Sequence, residues 1–154
     1  MEPIAILVVD DEQAFTEILA QRLGKRGFAV KTAADGHTGI KLLVEDELIE
    51  VVVLDIAMPG MDGIETLKAM KKERPLVEAI MLTGQATVNT AVEAIKQGAF
   101  NYLVKPCDIE DLSAFIGEAA AHRRNRQAKI LEVRMTPYLS PVKREELIAA
   151  ILKE

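Results

Sequence analysis

The chain has 154 residues, of which 49% are hydrophobic and 28% charged, a balance typical of one globular domain and not of a disordered chain. No apolar run is long enough to cross a bilayer, and no basic segment precedes the first apolar run, so we expect neither a membrane anchor nor an export signal. The single cysteine, Cys107, excludes an internal disulfide and favours a reducing, cytoplasmic setting.

Short apolar runs alternate with amphipathic segments along most of the chain. Continuous apolar runs predict strands that are buried on both faces, and apolar residues spaced three or four apart predict helices. The predicted strands, in chain order, are Ile4–Val9, Phe28–Ala33, Val51–Leu54, Ala79–Leu82 and Tyr102–Val104. Five helices are predicted. The first contains Phe15, Ile18, Leu19 and Leu23 and ends at Gly24 or Gly27, and the second is Gly36–Glu47, with Ile40, Leu43 and Val44 inward. The third contains Ile64, Leu67 and Met70 and is closed by Pro75, the fourth has a stripe of Val88, Ala91, Val92 and Ile95 and is ended by Gly98, and the last begins with Ile109, Leu112, Phe115 and Ile116.

Five alternating strand–helix units predict an α/β fold, a doubly wound parallel sheet with helices on both faces. Right-handed crossovers favour the flavodoxin-like order 2-1-3-4-5 for five such strands. In that order the first and third strands are neighbours, and the winding reverses between them. Ligands of such sheets bind at the carboxyl ends of the strands at that reversal, so we expect the functional site there.

Residues 123–154 differ from the rest, because they carry eight Lys or Arg and only four Asp or Glu, whereas residues 1–122 are acidic overall. The basic cluster Arg123–Arg126 predicts a solvated helix end. Ser140-Pro141 predicts the start of another helix. The apolar stripe of that helix is Leu147, Ile148, Ile151 and Leu152. We therefore divide the chain into a domain, 1–122, and a helical tail, 123–154, which is able to continue the domain's last helix and ends in an amphipathic one.

Polar residues directly follow four of the predicted strands. They are Asp10-Asp11-Glu12 after the first strand, Asp55 after the third, Thr83-Gly84 after the fourth and Lys105-Pro106 after the fifth. The predicted topology brings them to one edge of the sheet, where three carboxylates, a hydroxyl and an ammonium surround one point. Close carboxylates repel each other unless a cation lies among them, and Mg²⁺ prefers such oxygen ligands, with Mn²⁺ as an acceptable substitute.

The same side chains are suited to hold a phosphoryl group. Lys105 supplies a point charge for one phosphate oxygen, and Thr83 donates a hydrogen bond to another. A carboxylate is able to act as a nucleophile and to form an aspartyl phosphate. Such a transfer depends mainly on positioning and on the neutralisation of charge, which this set of residues supplies. We therefore predict that Asp55 is a phosphoacceptor.

Four motifs together resemble one known family. Val9-Asp10-Asp11-Glu12, the segment Asp55–Gly63, Thr83-Gly84 and Lys105-Pro106 closely resemble the CheY-like receiver domain of two-component response regulators, over residues 4–122. The resemblance implies that a phosphohistidine on a sensor kinase phosphorylates Asp55. It also implies that Asp11, Asp55 and the backbone carbonyl of Ala57 bind magnesium, with Asp10 assisting, often through water.

The resemblance also implies how the phosphoryl group is held and sensed. Lys105 and Thr83 are expected to contact it, and Tyr102 is the aromatic residue expected to turn inward when Thr83 moves. A cis peptide bond is expected before Pro106, the one residue type for which that bond is cheap.

Simpler interpretations of these residues stay open. Asp10 and Asp11 are suited to cap the first helix, since carboxylates favour helix N-termini. Asp55 alone, ahead of a loop, is an ordinary turn residue. Tyr102 fits a plain packing role as well as a switching one.

Two other function classes fit the sequence less well. Magnesium-dependent phosphohydrolases with an aspartate nucleophile usually carry a second Asp two residues later, and Ala57 occupies that position here. The turn Asp10–Phe15 has no glycine, so neither a dinucleotide fingerprint nor a P-loop is present. We therefore expect no enzyme for outside substrates, but a protein that catalyses only its own phosphorylation and dephosphorylation.

The expected partners are a sensor histidine kinase or phosphotransfer protein, a downstream protein target and a second copy of the chain. The acidic body argues against direct binding of nucleic acid, and no feature indicates a membrane. The tail is too short for an output domain with its own core. We therefore favour a stand-alone receiver, with an excerpt of a longer transcriptional regulator as the alternative.

Overall fold

The computed structural model describes residues 2–154, which form five strands and six helices. The strands are β1 (Ala5–Val9), β2 (Ala29–Ala33), β3 (Ile49–Leu54), β4 (Glu78–Thr83) and β5 (Asn101–Val104). The helices are α1 (Gln13–Lys25), α2 (Gly36–Glu45), α3 (Gly63–Glu73), α4 (Val88–Lys96), α5 (Ile109–Met135) and α6 (Pro141–Leu152). Every strand and helix that the sequence predicts is present, with ends that differ by a few residues.

The strands form one parallel sheet in the order β2-β1-β3-β4-β5, which confirms the predicted flavodoxin-like topology. Val9 at the end of β1 is paired with Leu54 at the end of β3. The next residue of each strand, Asp10 and Asp55, therefore leaves the sheet beside the other.

Helices cover both faces of the sheet. One core lies between the sheet and α1 and α5, and it contains Leu19, Leu23, Leu112 and Ile116. The other lies between the sheet and α2, α3 and α4, and it contains Leu43, Leu67, Met70 and Ala94. Because Val52 and Val53 of β3 enter opposite cores, both faces of this strand must be apolar. Each large aliphatic side chain so buried stabilises the fold by about 1.5–3 kcal/mol.

The expectation that Val44 points inward is wrong, because its side chain is 50% exposed. α2 turns Gly39 toward β1 instead, where an added Cβ would lie only 2.9 Å from a methyl group of Val9. The helix therefore approaches the sheet through a residue without a side chain, and Val44 lies on its outer side.

The apolar stripe predicted on α4 faces solvent. Val88, Val92 and Ile95 are 79%, 49% and 52% exposed, whereas Ala94 is fully buried. α4 therefore packs through a small side chain and presents its larger ones outward.

α5 continues without a break past residue 122 to Met135, and α6 folds back along it. The hydroxyl of Ser140 caps α6 by accepting a hydrogen bond of 3.1 Å from the backbone N–H of Lys143. Ile151 is buried, and Leu147, Ile148 and Leu152 are partly buried, so the stripe of α6 packs within the same chain. Among residues 2–154, no helix is long and apolar enough to span a membrane.

Two carboxylates are buried at the starts of two neighbouring inner strands, β3 and β4. Glu50 of β3 accepts hydrogen bonds of 2.7 and 2.8 Å from the guanidinium group of Arg124. Glu78 of β4 pairs with Arg126, which is only 3% exposed. The prediction that this basic cluster is a solvated helix end is therefore wrong. α5 passes the starts of β3 and β4, where the buried carboxylates require cationic partners.

Candidate functional site

The ends of β1 and β3 fix two carboxylates at one edge of the sheet. The backbone N–H of Asp10 donates to the carbonyl of Ala33 at 3.1 Å, and that of Asp55 donates to the carbonyl of Val9 at 3.0 Å. Each aspartate is therefore held by the neighbouring strand up to the residue itself. Its Cα therefore cannot leave the edge of the sheet without breaking strand pairing.

The structure brings together the three aspartates that the sequence singles out. Carboxylate oxygens of Asp10, Asp11 and Asp55 all lie within 4.8 Å of one another. Asp10 and Asp55 are buried, and Asp11 is exposed. The Oδ1 atom of Asp55 is buried and has no hydrogen-bond partner among the described residues.

The electrostatics of this cluster disfavour a second negative charge. Burial first, and then the charge of Asp10, raise the pKa of Asp55 above its usual value, against the opposing effects of Thr83, Lys105 and the backbone N–H of Ala57. An oxygen without a partner and a repelled carboxylate are both relieved by a hard divalent cation. Three carboxylates at this spacing therefore fit Mg²⁺.

Lys105 supplies the positive charge of the site. Its Nζ lies 2.7 Å from Asp10, 3.3 Å from Glu12 and 3.7 Å from Asp55. Burial alone would lower the pKa of Lys105, but the hydrogen bond and charge of Asp10, with the other carboxylates, raise it. The peptide bond to the next residue, Pro106, is cis. Lys105 is therefore charged and lies between two of the aspartates.

Sequence reasoning did not anticipate the aromatic neighbour of this lysine. The Nζ atom of Lys105 lies 4.1 Å from the ring centroid of Phe15, a cation–π contact across the first turn of α1. The helical spacing of Phe15 indicates only a core residue. The contact depends on how α1 and β5 are placed in space, which no local pattern encodes.

Thr83 ends β4 beside the aspartates and is fully buried. Its hydroxyl accepts a hydrogen bond of 3.2 Å from the backbone N–H of Gln85. Tyr102 is half-buried, and its hydroxyl lies 2.7 Å from that of Thr90. Thr90 also forms a capping box with Thr87 at the start of α4. Tyr102 is thus tied to the first turn of α4 rather than to Thr83 itself.

The conformation of the loop after Asp55 accounts for Gly60, Asp62 and Gly63. Gly60 has a φ of +77°, which side-chain-bearing residues rarely adopt. The carboxylate of Asp62 caps α3 by accepting from the backbone N–H of Glu65 at 2.8 Å. A Cβ at Gly63 would lie 2.1 Å from the carbonyl oxygen of Asp55. This loop therefore returns closely over the end of β3.

The aspartates are only weakly engaged in helix capping. The residue at the cap position of α1 is Glu12, and its side chain makes no capping hydrogen bond. The Oδ1 atom of Asp10 accepts a bond of 2.9 Å from the backbone N–H of Glu12. This contact orients the first residues of α1, and within residues 2–154 the exposed Asp11 makes no comparable hydrogen bond.

Similar sequences agree on one family. The model of the family described as "Response regulator receiver domain" matches residues 6–117, which include every residue of the site. The transcriptional regulatory protein ZraR of Klebsiella oxytoca is 39% identical over 131 residues, covering 85% of this chain and 29% of that protein. The regulatory protein AtoC of Escherichia coli K12 is 40% identical over 114 residues, covering 74% of this chain and 24% of that protein. The chain thus spans about a quarter of the length of these curated relatives.

Solved structures of similar chains have the same fold. A response regulator receiver domain protein from Clostridium thermocellum gives a TM-score of 0.76 at 35% identity, covering 79% of this chain and 98% of that one. The beryllofluoride-activated NtrC4 receiver domain dimer gives a TM-score of 0.73 at 35% identity, covering 77% and 98%.

Proposed function

Because the chain belongs to the response regulator receiver family, we propose that it is a switch whose Asp55 accepts a phosphoryl group from the phosphohistidine of a sensor kinase or phosphotransfer protein. One observation carries the proposal. Carboxylate oxygens of Asp10, Asp11 and Asp55 lie within 4.8 Å of one another, and the ammonium of Lys105 lies 3.7 Å from Asp55. A nucleophile, a divalent-cation site and a fixed positive charge therefore converge on one point.

In the proposed reaction, a carboxylate oxygen of Asp55 attacks phosphorus. A P–O bond forms as the N–P bond of the phosphohistidine breaks, and the imidazole leaves. Asp11, Asp55 and the backbone carbonyl of Ala57 would hold Mg²⁺, with Asp10 assisting. When bound, Mg²⁺ supplies the positive charge that offsets the carboxylates and the incoming phosphoryl oxygens.

Lys105 and Thr83 are proposed to hold the phosphoryl group after transfer. The ammonium of Lys105 already lies between Asp10 and Asp55, so a change of side-chain torsion brings it to a phosphoryl oxygen. The hydroxyl of Thr83 is the donor proposed for another oxygen. Tyr102 is the proposed responding aromatic residue, and its bond to Thr90 would carry a change in its position to α4.

Phosphorylation is tested directly by incubating the chain with acetyl phosphate and magnesium and measuring its intact mass. The wild-type chain is expected to gain one phosphoryl group, and the gain should disappear in Asp55→Ala and when EDTA removes the metal. Asp111→Asn is a matched control, because this exposed aspartate lies in the first turn of α5, outside the site. A wild-type rate in Asp55→Ala would refute the assignment.

The proposed output is regulated binding to proteins. Val88, Val92 and Ile95 of α4 and Val104 of β5 are exposed large apolar side chains, which we propose contact a downstream target or a second copy of the chain. We expect a cytoplasmic protein that catalyses only its own phosphorylation and dephosphorylation, without direct contact to nucleic acid. The relatives named as transcriptional regulators favour one alternative, the same switch within a longer regulator. The mass of the protein in its native cells distinguishes a stand-alone receiver from a receiver within a longer regulator.

A further inference from the structure

A groove of about 600 Å³ lies at the starts of β4 and β5, the edge of the sheet opposite to Asp55. Residues from α3, α4, α5 and α6 line it. We call it the basal groove, defined by Lys71, Glu78, Lys96, His122, Arg126 and Lys153. Its volume lies within the range of sites for small organic ligands, about 300–1,000 Å³.

The basal groove is positively charged although the chain carries a net charge of −5. Three basic groups converge on the single buried carboxylate of Glu78. Arg126 is in direct contact with it, His122 lies 3.2 Å away and Lys71 lies 3.7 Å away. The other acidic residue of the groove, Glu154, pairs with Lys129 outside it. The carboxylates of the groove are therefore already occupied by cations.

Two further lysines stand at the rim without an acidic partner. Within residues 2–154, no carboxylate lies within 4.0 Å of the ammonium of Lys96 or Lys153. Both residues are exposed, Lys96 at the end of α4 and Lys153 directly after α6. Their ammonium groups thus supply charge to the groove that no group of the described chain offsets by direct contact.

The guanidinium of Arg126 has a donor left over at the wall of the groove. One Nη donates to the carbonyl of Leu152 at 3.0 Å and the other contacts Glu78, but the buried Nε has no acceptor among the described residues. A buried donor without an acceptor is costly. Burial, together with the nearby charge of Arg126, lowers the pKa of Lys71, against the opposing effect of Glu78. An anion in the groove would offset the second condition, the crowding of positive charge around Lys71.

We propose that the basal groove binds a small organic molecule that carries a diphosphate group. Lys96 and Lys153 are point charges of the kind that bind phosphate. The apolar part of the wall, which includes Pro75, Ile95 and Phe100, offers a surface for the organic portion. This site is separate from Asp55 and does not depend on its phosphorylation.

Amide NMR titration of the full chain tests the proposal, with adenosine 5′-diphosphate and inorganic pyrophosphate as probes at constant ionic strength. EDTA is present, so that the acidic cluster around Asp55 has no metal with which to capture phosphate. Saturable shifts are expected at the amides of Gly98 and Lys153, with a dissociation constant for adenosine 5′-diphosphate below about 1 mM. Pyrophosphate is expected to bind the same site more weakly, because it has no group for the apolar wall.

Two double variants of equal net charge make the test specific. Lys96→Glu with Lys153→Glu is expected to weaken binding more than about tenfold, since two attractive charges become repulsive. Lys25→Glu with Lys41→Glu, exposed residues outside the groove, is expected to change it less than about twofold. The site is refuted if neither probe gives saturable shifts or if both double variants lose affinity equally. Binding of pyrophosphate alone would refute the organic portion of the ligand.

Discussion

Replacing Arg126 by Met should destabilise the chain by about 3 kcal/mol, although this residue contacts the start of β4, at the edge of the sheet opposite to Asp55, the proposed phosphoacceptor. Arg126 and Glu78 are 3% and 2% exposed, so each charge depends on the other for compensation. Removing one partner of a buried pair costs about 3–5 kcal/mol. Lys71 at 3.7 Å and His122 at 3.2 Å remain near Glu78, which places the expected loss at the lower end.

Urea unfolding followed by far-ultraviolet circular dichroism measures this loss. Arg134→Met, an exposed position on the same helix, is the control and should change the free energy of unfolding by less than about 0.5 kcal/mol. Adding Glu78→Gln to Arg126→Met should recover about 1–2 kcal/mol, because the stranded charge is gone. A loss below about 1 kcal/mol for Arg126→Met would show that the pair is not what anchors α5 to β4.

Asp11→Ala should weaken magnesium binding more than about tenfold by calorimetry, and Asp10→Ala should weaken it less, because Asp11 is proposed as a direct ligand and Asp10 as an assisting residue. Equal losses would contradict that division of roles. Thr83→Ala should leave the chain able to accept a phosphoryl group but abolish the response of the β5 amides to beryllofluoride, and undiminished shifts would refute the coupling. Gly63→Ala should lower the free energy of unfolding by about 3 kcal/mol, since its Cβ would lie 2.1 Å from a backbone carbonyl oxygen, whereas Gly84→Ala, with open space around it, should be nearly neutral.

The sequence predicts the sheet and the placement of the site because both depend on order along the chain. Alternating apolar runs define the strands, and strand order then brings Asp10 and Asp55 together. The exposure of Val44 could not be predicted this way, because it depends on which side of α2 meets β1. The burial of Arg126 also could not be predicted from that residue alone. A usable signal lay elsewhere, in Glu50 and Glu78, acidic residues directly before the apolar runs of β3 and β4, where a buried carboxylate requires a cationic partner.

The two buried carboxylates, Glu50 and Glu78, lie at fixed distances along β3 and β4 from the proposed phosphorylation site. Glu50 lies five residues before Asp55, and Glu78 lies five residues before Thr83. At about 3.3 Å per residue, each interval measures about 17 Å between an ion pair at one edge of the sheet and a residue of the proposed phosphorylation site at the other. Deleting one residue inside either interval would reverse the faces of every side chain beyond it and leave one end out of position. The distance from α5 to the proposed phosphorylation site is therefore set by the number of residues in β3 and β4.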